Sequence, residues 1–150
     1  MNCQAVIYSK VMEDGAEWVR KGQTEIAHDV TDHKFVKSQI LDYSFEQQQR
    51  IRVEVYNVKS AGKDLSEQEF IGAAECYIAE VVASTSTIFE LPLEHFGKKK
   101  DKDRGAIRLV AEELNELKYD VSFTMKGRDL LKMNFLQGNA DPYVAESGRL

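Results

Sequence analysis

Two cysteines, two prolines, three histidines and one tryptophan in 150 residues leave several classes of protein without the parts they need. Cys3 and Cys76 are too few for a disulfide framework, and neither has a Cys or His neighbour at metal-ligand spacing, so both read as buried thiols. His28, His33 and His95 are equally scattered. No Gly-rich phosphate loop, G-x-S-x-G or H-E-x-x-H stretch occurs, and an enzymatic reading finds little support. Trp18 with Tyr8 reads as packing on a strand face, and Glu112 with Glu113 as a polar strand end. No apolar run approaches the roughly 20 residues that cross a bilayer. Met1 is not followed by the basic and apolar regions of a signal peptide, which predicts a cytosolic chain. Acid exceeds base, for a net charge of -5, which argues against nucleic acid as a main partner and gives no overall pull towards anionic lipid. Attraction to such a surface has to come from local patches.

What is present describes a single soluble domain able to bury a core, with 43% hydrophobic and 30% charged residues. The clearest pattern lies at 50–56, where Arg50, Arg52 and Glu54 alternate with Ile51, Val53 and Val55, the period of a strand with one face in a core. Residues 57–68 are polar, and Phe70, Ile71 and Gly72 open the next apolar segment, so a loop of about a dozen residues joins two strands. Further strands are expected at 4–9, at 16–20 and 23–28 with a break or bulge near Gly22, and at 35–43, 70–78, 87–93, 105–114 and 118–126. Asp14-Gly15 marks a hairpin turn, and Pro92 favours an edge or an end. Residues 79–86 read as a helical turn or an irregular crossover, and 98–104 as the charged tip of a hairpin. Short strands at regular spacing with little helical periodicity predict an all-β, antiparallel sandwich.

The strand, the dozen-residue loop and Phe70-Ile71-Gly72 resemble the third membrane-facing loop of a C2 domain, and the flanking sequence resembles a copine. Gly22-Gln23-Thr24-Glu25, Phe35-Val36-Lys37 and GAIRLVAEEL at 105–114 are similar to first-domain copine sequence. From Lys118, KYDVSFTMKGRDLLKMNFLQGNADPYV resembles the start of a second C2 domain, with a Gly-Arg-Asp-Leu turn and an Asn-Ala-Asp-Pro-Tyr loop. The resemblance implies a Greek-key sandwich of C2 type over 1–117 whose first strand is missing, followed over 118–150 by the opening of a neighbour. A missing strand would leave backbone groups unpaired and an apolar face bare. The expected remedy is that 118–126 fills the gap, in the same molecule or in a strand-exchanged dimer; the alternative places that strand at a sheet edge.

Copines are calcium-dependent phospholipid-binding proteins, and their ligands are loop aspartates. At the matching positions this sequence has Asn2 or Cys3 in the first loop, Asn57-Val58-Lys59 in place of Asp-x-Asp, and Glu69 before Phe-Ile-Gly. Lys59 would oppose a divalent ion nearby by several kcal/mol at an effective dielectric of about 20. Asp64 and Glu67 are the remaining acids of the loop and read more simply as solvated surface. In the second motif Asp141 matches a ligand position while Asn134 replaces another. The expectation is calcium ligation that is weakened or lost. Two basic patches are the candidates for anionic phospholipid: Lys34 with Lys37, and Lys98, Lys99, Lys100, Lys102 and Arg104. Two function classes follow, a peripheral membrane-binding module at the plasma membrane and a protein-interaction module.

Overall fold

The alternation at the centre of the sequence is a strand, β6 (Gln49–Asn57). Ile51, Val53 and Val55 are at most 1% exposed, while Arg50, Arg52 and Glu54 on the other face are half-buried. β1 (Asn2–Val11) runs antiparallel along one side of it, from Cys3 opposite Asn57 to Val11 opposite Gln49. β7 (Glu69–Tyr77) runs along the other, with a register shift between Val55 and Tyr56. The far edge of β1 is covered by two short pieces, β2 (Val19–Gln23) and β3 (Ala27–His28), which completes the first sheet. These elements belong to a computed structural model that describes residues 1–29, 31–44, 46–84, 89–96, 103–115 and 118–131.

The second sheet is built on β10 (Lys118–Arg128). β9 (Ala106–Asn115) pairs with one side of it, β4 (His33–Lys34) and β5 (Gln39–Asp42) with the other, and β8 (Phe89–Pro92) lies beyond β9. All pairings are antiparallel. A strand in that position has partners for its backbone groups on both sides, and its inward residues Val121, Phe123 and Met125 are at most 3% exposed. They meet Ile7, Val53, Val55 and Ile71 of the first sheet in one core cluster, so the fold is an all-β antiparallel sandwich. One helical turn, α1 (Ile78–Ala83), follows β7; Glu80 accepts the Tyr77 N–H at 2.7 Å at its start, and Ile78 and Val81 are buried. The helical alternative at 79–86 therefore holds for its first part, and residues 85–88 lie outside the described residues.

Two expected strands are broken where side chains compete for the backbone. The bulge near Gly22 is present, since Ile7 faces Gly22 while Tyr8 faces Arg20 and leaves Lys21 as the extra residue. The strand then stops at Thr24, whose hydroxyl accepts the Ala5 N–H at 3.0 Å before β3 resumes the pairing. Of the strand expected at 35–43 only 39–42 pairs as β5, with β4 falling just before it, and between them the Glu25 carboxylate takes the N–H groups of Val36 (2.8 Å) and Lys37 (3.1 Å). The glycine of Phe-Ile-Gly has a packing reason: a Cβ on Gly72 would stand 2.9 Å from Leu93 Cβ, where Ala73 bridges to Glu94. Gly105, at φ +90, is pressed against the Asp129 carbonyl and admits no side chain.

The open face of the second sheet is stapled by charge. Glu90 on β8 accepts from Arg108 of β9 at 2.6 Å and from Arg128 of β10 at 2.7 and 3.0 Å. The Arg128 guanidinium, and then that of Arg108, hold the Glu90 carboxyl at about 2 against an ordinary 4.5. A carboxyl depressed in the folded state stabilises the fold above its unfolded value and stops doing so as acid protonates it. Stability should therefore decline as pH drops from 4.5 towards 2, and the decline should be shallower in Glu90→Gln, as read from urea midpoints at stepped pH. Phe123→Ala should cost about 3–5 kcal/mol in urea denaturation, whereas Ser122→Ala on the outward face of the same strand should change stability by less than about 0.5 kcal/mol.

Candidate functional site

The loop end at which the sequence places its calcium-type positions brings Asn2, Asn57 and Glu69 together. Residues 2 and 57 come from adjacent strands, and Glu69 opens β7 directly opposite Asn57. The Asn57 carbonyl oxygen accepts the Asn2 backbone N–H at 3.0 Å, and the Asn57 amide donates to Glu69 Oε2 at 2.9 Å. Lys59 adds its ammonium 3.7 Å from the same Glu69 oxygen. Asn2 in turn directs its side-chain oxygen at His28 Nδ1 (3.2 Å) and at the Asp29 N–H (3.4 Å). Asn57 is only 7% exposed, so this is a buried polar joint between β1, β6 and β7.

Calcium takes six to eight oxygens, several of them carboxylate. Here one carboxylate is already bonded to an amide and faced by an ammonium. Asp64 and Glu67 do not join it; Glu67 pairs with Lys63 at 3.7 Å, and among the described residues no three His, Cys, Asp or Glu side chains gather as a metal group. The described residues at this end do not fit the ion. Asn134 and Asp141 lie outside the described residues. Cys3, the other residue weighed for the first loop, is fully buried, and burial pushes its thiol up to about 11. Burial likewise raises the Cys76 thiol to about 12, so both are packed thiols.

The basic residues divide sharply. Arg104 is 7% exposed and its guanidinium donates to the Ile71 carbonyl at 2.6 Å, so it ties β7 to the start of β9 and is not part of a surface patch. The sequence signal for this was its place beside Gly105, at a strand start rather than at the loop tip. Lys98, Lys99, Lys100 and Lys102 lie outside the described residues. Lys34 and Lys37 are exposed, and the structure adds a third cation that sequence spacing did not bring to them: Lys126 of β10 is the register partner of Lys34. Directly opposed residues of an antiparallel pair share a face. Glu25 braces this corner, and His33 Nε2 stands 3.6 Å from its carboxylate. Burial works against the charge of Glu25, but the N–H groups of Val36 and Lys37 hold its carboxyl below the ordinary range.

On the outer face of the first sheet, Arg52 bonds Glu54 at 2.6 Å and Glu75 at 2.7 Å and lies over the Phe96 ring. Trp18 carries the Lys10 ammonium over its ring. Gln68 was also invisible in the sequence. Its amide accepts the Lys59 N–H at 2.8 Å and donates to the Ser60 carbonyl at 2.7 Å, closing the loop between β6 and β7 on itself. No helix of the described residues is long and apolar enough to cross a membrane.

No protein-family model matches the chain. It is similar to nicotinic receptor-associated protein 1 of Caenorhabditis elegans, with 35% identity over 141 residues, and to the protein of the same name from Caenorhabditis briggsae, with 34% over 142. These matches take in 85% and 86% of this chain but 21% and 22% of the relatives, so the chain spans about a fifth of their length.

If Asn57 and Lys59 neutralise Glu69 internally, the urea midpoint of the natural sequence should be the same in millimolar calcium and in chelator. Asn57→Asp removes the donor and sets a second carboxylate against Glu69, which should cost about 1–3 kcal/mol in chelator. Part of that loss should return on adding calcium.

Proposed function

We propose that this chain is a copine-like C2 module that attaches to an anionic phospholipid surface through the lysine corner of β4 and β10, without calcium ligation at the loop between β6 and β7. The observation that carries the reading is the placing of Lys34 directly across from Lys126, with Lys37 exposed between β4 and β5 and no carboxylate paired to any of the three among the described residues. Opposed like charges on neighbouring strands are unfavourable in an isolated domain. An anionic surface reverses the sign of that cost, and with a net charge of -5 the attraction has to be local.

The copine-like motifs and the similarity to nicotinic receptor-associated protein 1 support the family reading, and the antiparallel sandwich is compatible with Greek-key C2 connectivity. In the same reading, β10 is the opening strand of a following C2 unit lent to this sheet, and the module works on the cytoplasmic side of the plasma membrane. Light scattering separates lending within one molecule from exchange between two, since exchange requires a dimer mass.

A second reading has one observation in its favour. The relatives are named for association with a receptor, and the outer face of the second sheet also exposes Ile40 (61%) and Val110 (47%), apolar groups suited to a protein partner.

Co-sedimentation with phosphatidylserine vesicles in chelator tests the first reading. Binding should weaken about fivefold for each of Lys34→Gln, Lys37→Gln and Lys126→Gln, and should fall with added salt. Absence of vesicle binding in both calcium and chelator moves the function to the protein-interaction class.

A further inference from the structure

The outer face of the second sheet is divided by charge along its strands. On β10 that face carries Ser122, Thr124 and Lys126, which alternate with the inward Val121, Phe123 and Met125. Lys126 stands in a row with Arg108 of β9 on one side and Lys34 of β4 on the other, three cations abreast. The acids lie further along, Glu112 of β9 opposite Ser122, and Asp42 of β5 two residues past Ile40. Between the two ends are the exposed Ile40 and Val110 and the small hydroxyl residues Ser38, Ser122 and Thr124. We infer that this face binds a second copy of the same chain, in a weak dimer of two-fold symmetry. The inference rests on the protein-interaction reading for Ile40 and Val110 and names their partner, whereas the membrane reading is independent of it.

The register gives the charge pattern a centre. Lys34 lies opposite Lys126 and Asp42 opposite Asp120, so Phe123 marks the midpoint between them. Arg108 lies opposite Lys126 and Glu112 opposite Ser122, so Thr124 marks theirs. The two midpoints differ by one residue, about 3.4 Å, which side chains of this length take up. A two-fold axis that lies in the face and crosses the strands between Phe123 and Thr124 therefore turns each end onto the other. Asp42 comes over Lys34 of the second copy and Glu112 over its Arg108, and each contact occurs twice. Ile40, opposite Ser122, and Val110, opposite Thr124, straddle the axis and meet their counterparts there. Copies packed in the same direction would instead set the cation rows against each other, so charge selects the two-fold arrangement.

The groups on this face are also prepared for cover. Arg108 shares Glu90 with Arg128, which leaves the opposed Lys34 and Lys126 to be neutralised from outside the sheet. Ser38 Oγ and Thr124 Oγ1 stand 3.3 Å apart and bond each other, so closing the middle strands neither hydroxyl. Four strands about 4.8 Å apart, over about eight residues of rise, present roughly 500 Å² per copy. A dimer would bury about 1,000 Å², the size of a weak and reversible association.

The test is sedimentation equilibrium of the full chain in chelator, from about 10 μM to about 1 mM. The natural sequence should show a reversible monomer–dimer equilibrium that added salt weakens. Lys34→Glu and Asp42→Lys each set like charges together at both contacts and should weaken self-association at least about tenfold. An equimolar mixture of these two variants should associate again, because each offers the sign that the other lacks, and that recovery also shows both to be folded. Ile40→Ser should weaken the dimer about tenfold. A chain that stays monomeric at the highest concentration overturns the inference and leaves the protein-interaction reading to a different partner. A dimer indifferent to Lys34→Glu and Asp42→Lys is held by strand exchange and overturns it equally, as does a mixture that fails to associate. Asp42→Lys leaves Lys34, Lys37 and Lys126 in place, so its sedimentation with phosphatidylserine vesicles tests the membrane reading apart from self-association.

Discussion

β10 has hydrogen-bonding neighbours on both sides while Val121, Phe123 and Met125 fill the space between the sheets. A backbone in that position has no solvent to fall back on, so its polar groups must be paired within the fold. The second sheet exists because this strand joins β9 to the short pieces β4 and β5, neither of which pairs with anything else in that sheet. The features that matter for function inherit this arrangement. The register that seats Phe123 in the core also sets Lys126 across from Lys34 and brings Arg128, at the end of β10, to Glu90.

The loop end follows a different logic. A calcium-type site uses a metal to reconcile several carboxylates, and here a single carboxylate is reconciled by an amide and an ammonium from its own chain. An asparagine at position 57 carries no charge and brings a donor, and that donor gives Glu69 a hydrogen bond from its own chain. The loop then has a settled shape set by Gln68 and the Asn57 joint, and its outer side is available for other contacts.

Among the described residues, the lysines of the second sheet stand apart from the charged groups of the loop end. Lys34 and Lys126 face each other across neighbouring strands of that sheet, a like-charge pairing that costs free energy within the domain.

Period-2 alternation determined the strands and which side of each is buried, because a pleated strand puts successive side chains on opposite faces whatever surrounds it. Ile51, Val53 and Val55 on β6, and Val121, Phe123 and Met125 on β10, were legible in this way, and Asn57, Lys59 and Glu69 were matched to a loop motif only through the resemblance to a family. Partnership between distant residues was not legible. The capture of the Val36 and Lys37 N–H groups by Glu25, the burial of Arg104 against the Ile71 carbonyl and the meeting of Lys34 with Lys126 join positions 11 to 92 apart in sequence, and no local pattern encodes them. Local sterics and hydrophobicity belong to the sequence by itself; which charge faces which, and which polar side chain replaces a backbone partner, was decided only when two sheets closed on one core.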